Sequence, residues 1–100
     1  MPATLEHHES HSLIRLEGEC TITSAAVLKK LLLEGLVPGG NLRVDLERAD
    51  KIDITVMQLL WAARRDADRT GAKISIRASD ATDRAARDAG FVFPEEPLQG

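Results

Sequence analysis

Asp53 and Thr55 are the residues of this chain best placed to take part in chemistry. They follow a strand-like run, Leu42 to Leu46, and a charged stretch from Glu47 to Lys51, and they stand at the mouth of a helix-length segment. A hydroxyl there lies beside the free amides and the positive dipole end of a helix, where an added phosphate is stabilised. The same residue types also serve as plain helix caps. Thr55 is therefore either a phosphoacceptor or a cap, and Asp53 either a cap or a partner contact. Glu47, Asp50 and Lys51 read as a solvated loop or, beside Thr55, as a recognition surface.

Other reactive residues lead less far. His7, His8 and His11 are loosely spaced, and neither cysteines nor a tight carboxylate set completes a coordination sphere, so no metal site is expected. Cys20 is the only cysteine. A nucleophile needs a base and an oxyanion site, and the sequence indicates neither, so Cys20 reads as a small, partly buried thiol. Gly39-Gly40 precedes a strand and no Gly-Lys-Ser/Thr follows, which removes a phosphate-binding loop. Trp61, four residues before Arg65, reads as a core or rim residue. No catalytic residue and no cofactor are expected.

Composition narrows the class. A chain of 100 residues with 43% hydrophobic and 29% charged residues can bury roughly 65% of its unfolded surface, enough for one core and one domain, residues 1–100. The formal charge of −3 and 3% aromatic content argue against nucleic acid, whose binders need a basic face and stacking rings. No run approaches the roughly 18 apolar residues of a membrane span, and the first ten residues carry no export signal. A lone cysteine fits a reducing compartment, so a cytoplasmic protein with no direct membrane insertion is expected.

The elements that must position these residues follow from periodicity. Ser12 to Glu17, Leu42 to Leu46 and Lys73 to Arg77 alternate apolar and polar residues, the pattern of half-buried strands with one polar sheet face. Thr4 to His8 can form a hairpin with the first of them. Between the strands, Ala25, Leu28 and Leu32, and then Leu59, Leu60 and Ala63, recur at helical spacing. Thr23 or Ser24, Asp53 or Thr55, and Ser79 or Asp80 are the expected caps. Gly71 and Gly90 are placed to end the second and third helices. The expected fold is α/β: a mostly parallel sheet of four or five strands with an antiparallel N-terminal edge strand, the fifth strand being Phe91 to Phe93. Ile14, Leu16, Val44, Leu46, Ile74 and Ile76 should be buried against Leu28, Leu32, Leu59 and Ala63. Residues 1–3 and 94–100 should fray. Ligands and partners of such a sheet collect beyond the strands' carboxyl ends, here Gly18 to Ser24, Glu47 to Thr55 and Ala78 to Thr82.

Three segments carry a family resemblance: LIRLEGECTI followed by SAAVLKKLL, the strand VDL, and IDITVMQLLWAARRDADRTGAKISI. From about Leu5 to Phe91 the chain resembles a STAS domain, the fold of the bacterial anti-sigma factor antagonists. The family's last segment begins with Asp, two small residues of which the second is the phosphorylated Ser or Thr, and then Gly. The resemblance implies that Thr55 is the phosphoacceptor and Asp53 the matching aspartate. Ile54 replaces a small residue and Val56 the glycine, and a branched side chain at Val56 is expected to crowd the face that a kinase must approach. The implied function is non-catalytic: binding of an anti-sigma factor of the serine-kinase type through Gly18, Glu19, Thr21, Thr23, Ser24, Asp53, Ile54, Thr55 and Val56, with release by phosphorylation. Relatives of the same kind serve as cytosolic subunits of lipid-transporting ABC systems, docked on the ATPase, or accompany chemotaxis and signalling kinases. A small enzyme using Cys20 or the histidines is the reading from a different class.

Overall fold

In the computed structural model, which describes residues 3–90, alternation at the start of the chain becomes a hairpin. β1 (Ala3–His7) pairs antiparallel with β2 (Ser12–Cys20), Leu5 opposite Ile14. The chain then runs α1 (Ile22–Gly35), β3 (Asn41–Ile52), α2 (Ile54–Thr70), β4 (Lys73–Ala78) and α3 (Asp80–Asp88). The four strands lie in the order β1-β2-β3-β4, with β2, β3 and β4 parallel. This is the expected mixed sheet with its antiparallel N-terminal edge. Ala3, expected to fray, is paired with Leu16. The proposed strand Phe91 to Phe93 and the segment 94–100 lie outside the described residues.

Both parallel connections step the same way across the sheet, so right-handed crossovers place their helices on one face. Ile14, Leu16, Val44, Leu46 and Ile76 point into that face and are buried with Leu28, Leu32 and Ala63. Ile74 and Leu59 are only partly buried: among the described residues β4 is the last strand of the sheet, and Leu59 borders a groove between α1 and α2. The opposite face is polar, as the alternation requires. Arg15 pairs there with Glu6 at 3.3 Å and Asp45 at 3.6 Å, and Arg77 with Glu47 at 3.3 Å. Such exposed pairs set register more than they add stability.

Two expectations need correction. Gly18 to Cys20 and Glu47 to Ile52 are strand, not loop. The register of β2 on β3 slips between Arg15 and Glu17 and again between Gly18 and Glu19, each time adding a residue on the β3 side. Bulges of this kind break the period of two, so the buried positions run Leu42, Val44, Leu46 and then Ala49. At the first slip the Asp45 carboxylate takes up the Glu47 amide at 2.9 Å. At the second, Gly18 adopts φ 70°, a conformation open to glycine at little cost.

Candidate functional site

Because the strands continue to Cys20 and Ile52, a single residue separates each from its helix, Thr21 before α1 and Asp53 before α2. The Asp53 amide donates to the Cys20 carbonyl at 2.8 Å, which ties the two strand ends together. Asp53 then caps α2: its Oδ1 accepts the Thr55 amide at 2.8 Å and also the Thr55 hydroxyl. These bonds, the hydroxyl's first and the amide's second, hold the Asp53 carboxyl below the usual carboxylate range. Val56 and Met57 amides donate to the Asp53 carbonyl at 3.0 and 3.3 Å, completing the first turn. Of the alternative caps, Asp53 fills the role and Thr55 is the second residue inside the helix.

At α1 the cap is Thr21, and Thr23 and Ser24 lie within the helix. The reason is a capping-box exchange. Ser24 Oγ accepts the Thr21 amide at 3.1 Å and donates to the Glu19 carbonyl at 3.4 Å. Ser79 caps α3 as expected, accepting the Thr82 amide at 3.2 Å.

The structure thus gathers Gly18 to Ser24 and Asp53 to Val56 at one end of the sheet, but it divides the residues assigned to partner contact. Glu19, Thr21, Thr23, Asp53 and Ile54 are exposed, and Gly18 and Thr55 are half-exposed. Ser24 is buried and engaged with backbone, and Val56 is 0% exposed, so neither side chain can meet a partner. The expectation that Val56 crowds the kinase-facing surface is overturned for the same reason: its side chain fills core space. The stripe Val56, Leu60, Ala63 and Ala67, at helical spacing, carried that signal in the sequence.

Two features went unread. Ile22, the first residue of α1, is 68% exposed at the same end as Ile54, which is 52% exposed, so each helix opens with an apolar side chain in water. Beside them a shallow cleft of about 280 Å³ lies between Asp50, Lys51 and Ile52 of β3, Met57 of α2, and Ala81, Thr82 and Ala85 of α3. Asp50 and Lys51 are exposed on its rim, whereas Glu47 pairs with Arg77 away from it. Exposed apolar groups beside mixed charge are what a protein interface offers.

Cys20 is 2% exposed, with its Sγ 3.8 Å from the Gly18 carbonyl oxygen. Burial, and then the nearby Asp50 charge, push its thiol up, which suppresses the nucleophilic thiolate. The histidines lie at the hairpin. His8 and His11 stack with centroids 4.9 Å apart, His7 Nδ1 shares a hydrogen bond with Ser12 Oγ at 3.0 Å, and His8 Nε2 lies 3.4 Å from Glu6. Among the described residues no three His, Cys, Asp or Glu side chains converge on a metal-sized space. Trp61 is a rim residue, with the Arg65 guanidinium 5.0 Å from its ring centre. No helix among the described residues is long and apolar enough to cross a membrane.

Solved structures share this fold. An anti-sigma factor antagonist from Mycobacterium paratuberculosis superposes with a TM-score of 0.73 at 20% identity, over 97% of this chain and 86% of that one. The Bacillus cell fate determinant SpoIIAA in its phosphorylated form gives 0.71 at 16% identity, over 88% and 83%. A third, Mglu, gives 0.68 at 19% identity over 77% of this chain, which spans only 19% of that longer protein. At these identities the likeness is one of fold. No curated protein sequence matches significantly. The model of the family described as Mlab, STAS domain, matches residues 3–91, which takes in all four strands and the Asp53 cap, and the chain therefore belongs to the STAS domain family.

Proposed function

We propose that this STAS domain is a non-catalytic regulator that binds a protein partner at the end of the sheet where α1 and α2 begin. The partner class is an anti-sigma factor of the serine-kinase type, and phosphate on Thr55 releases it in the cytoplasm. The observation that carries this reading is the half-exposed Thr55 hydroxyl, fixed on Asp53 in the first turn of α2, with Ile22 and Ile54 exposed at the same end. A phosphate there adds about −1.5 to −2 charges beside Asp53, which repels an approaching surface more than it disturbs the helix N-terminus. The phosphorylated form of SpoIIAA shares the fold, which supports the assignment. Calorimetry with the partner tests it: Thr55→Glu should lose about 1 to 3 kcal/mol of binding with an unchanged circular dichroism spectrum. Equal affinities for the two proteins would sink the switch.

Ile54 favours a second reading. An exposed branched side chain beside Thr55, where the family has a small residue, suits permanent docking, as in the subunits carried by the ATPase of lipid-transporting ABC systems or by signalling kinases. That reading predicts binding to the ATPase that Thr55→Glu leaves intact and Ile54→Asp abolishes.

A further inference from the structure

The cleft of about 280 Å³ between β3, α2 and α3 is apolar inside and charged at its mouth. Ile52, Met57, Ala81 and Ala85 line it, and the Thr82 hydroxyl is engaged with Ser79 Oγ at 3.0 Å. Asp50 stands exposed at the edge, and Asp80, the exposed first residue of α3, directly precedes the lining residue Ala81. The Asp53 carboxylate lies at the same end of the sheet. Two cations are nearby. Lys51, also on the rim, stands opposite Glu19 in the strand register, and Arg84 lies one turn further along α3, outside the lining. Asp83 and Arg87 neutralise each other at 3.0 Å. Glu19, Asp50, Asp53 and Asp80 thus outnumber Lys51 and Arg84, which leaves the mouth negative.

We propose that this cleft receives one long cationic side chain, an arginine or a lysine, from the partner's docking surface. Such a side chain is amphipathic: its methylene stem gains from lying on apolar groups while its charged head stays at a wet, polar edge. Here the lining takes the stem, and Asp50, with Asp80 beyond it, takes the head. A carboxylate side chain would be repelled at the mouth. A purely apolar one would strip water from the Asp50 carboxylate and replace it with nothing. Only a cation on an apolar stem satisfies lining and rim together. The proposal rests on the reading of this end as the partner's docking surface, and it stands whether or not Thr55 is a switch.

Calorimetry of the full chain tests the contact, with a serine-kinase anti-sigma factor from the same organism as the probe. Ala85→Met fills the cleft from an exposed helix position, and Asp50→Asn removes the rim charge. Each should weaken binding about tenfold with an unchanged circular dichroism spectrum. The loss from Asp50→Asn should shrink at high salt, where screening has already weakened the wild-type contact. Asp68→Asn, at an exposed carboxylate near the far end of α2, should change nothing. Wild-type affinity in Ala85→Met or in Asp50→Asn, with Ile54→Asp still breaking the complex, would overturn the cleft contact and leave the docking reading standing. A wild-type chain that does not bind, or binding untouched by Ile54→Asp and by both cleft variants, would overturn the two together.

Discussion

One carboxylate oxygen, Asp53 Oδ1, receives both the amide and the hydroxyl of Thr55. Helix capping and orientation of the candidate phosphoacceptor are therefore one device. Any group added to the hydroxyl must first displace this bond, while the amide bond can persist and keep α2 capped.

Thr55→Ala should accordingly fold normally, since the amide still reaches Asp53, and should keep its partner affinity. Mass spectrometry after treatment with a cognate serine kinase should find phosphate on wild type at Thr55 and none on the variant. Phosphate elsewhere on both proteins would remove Thr55 from the switch.

The Asp53 bonds also predict a pH dependence. Its folded carboxyl titrates below the unfolded value, so its charge contributes stability above the ordinary carboxylate pKa near 4 and loses it as pH falls through the lower folded value. Thermal melting should show Asp53→Asn less stable than wild type at pH 7, with the gap closing in strong acid. A gap independent of pH would mean that the charge plays no part.

Val56 provides a test of the inward-facing first turn. Replacing it with glycine removes buried volume and puts a still weaker helix former in the first turn, and should cost about 2 to 4 kcal/mol in denaturant unfolding. Phosphate incorporation at Thr55 should not accelerate under conditions where the variant stays folded. A faster reaction with unchanged stability would place the side chain on the surface.

Val44→Ala should lower stability by about 1 to 3 kcal/mol, since Val44 is buried at the centre of β3. The measurement is the denaturant midpoint at constant slope. An unchanged midpoint would contradict the packing of this strand.

The hairpin histidines are expected to hold no structural metal, so melting curves with and without a strong chelator should coincide. A metal bound only by the folded chain would raise the transition by mass action, and a large drop on chelation would reveal one.

The sequence by itself determined the elements whose signals are local. The alternation of Ile14 and Leu16, of Leu42, Val44 and Leu46, and around Ile76 marked three strands and their buried faces. Asp53, Ser79 and Gly71 marked helix ends, because a cap bonds amides within its own turn and a left-handed residue needs no distant partner. Thr21, expected only as a partner contact, is the α1 cap two residues before the expected Thr23, because Ser24 serves the capping box from inside the helix. Tertiary structure decided the rest. The run from Glu47 to Ile52 became strand because β2 lies beside it and pairs across two bulges, a relation between segments thirty residues apart that no local period encodes. Val56 faces inward with its sequence stripe, but the apolar Ile22 and Ile54 face outward, because nothing in the fold covers their side of the helix starts. Whether an apolar side chain is core or interface is settled by the neighbour that excludes water from it, and that neighbour is supplied by the fold.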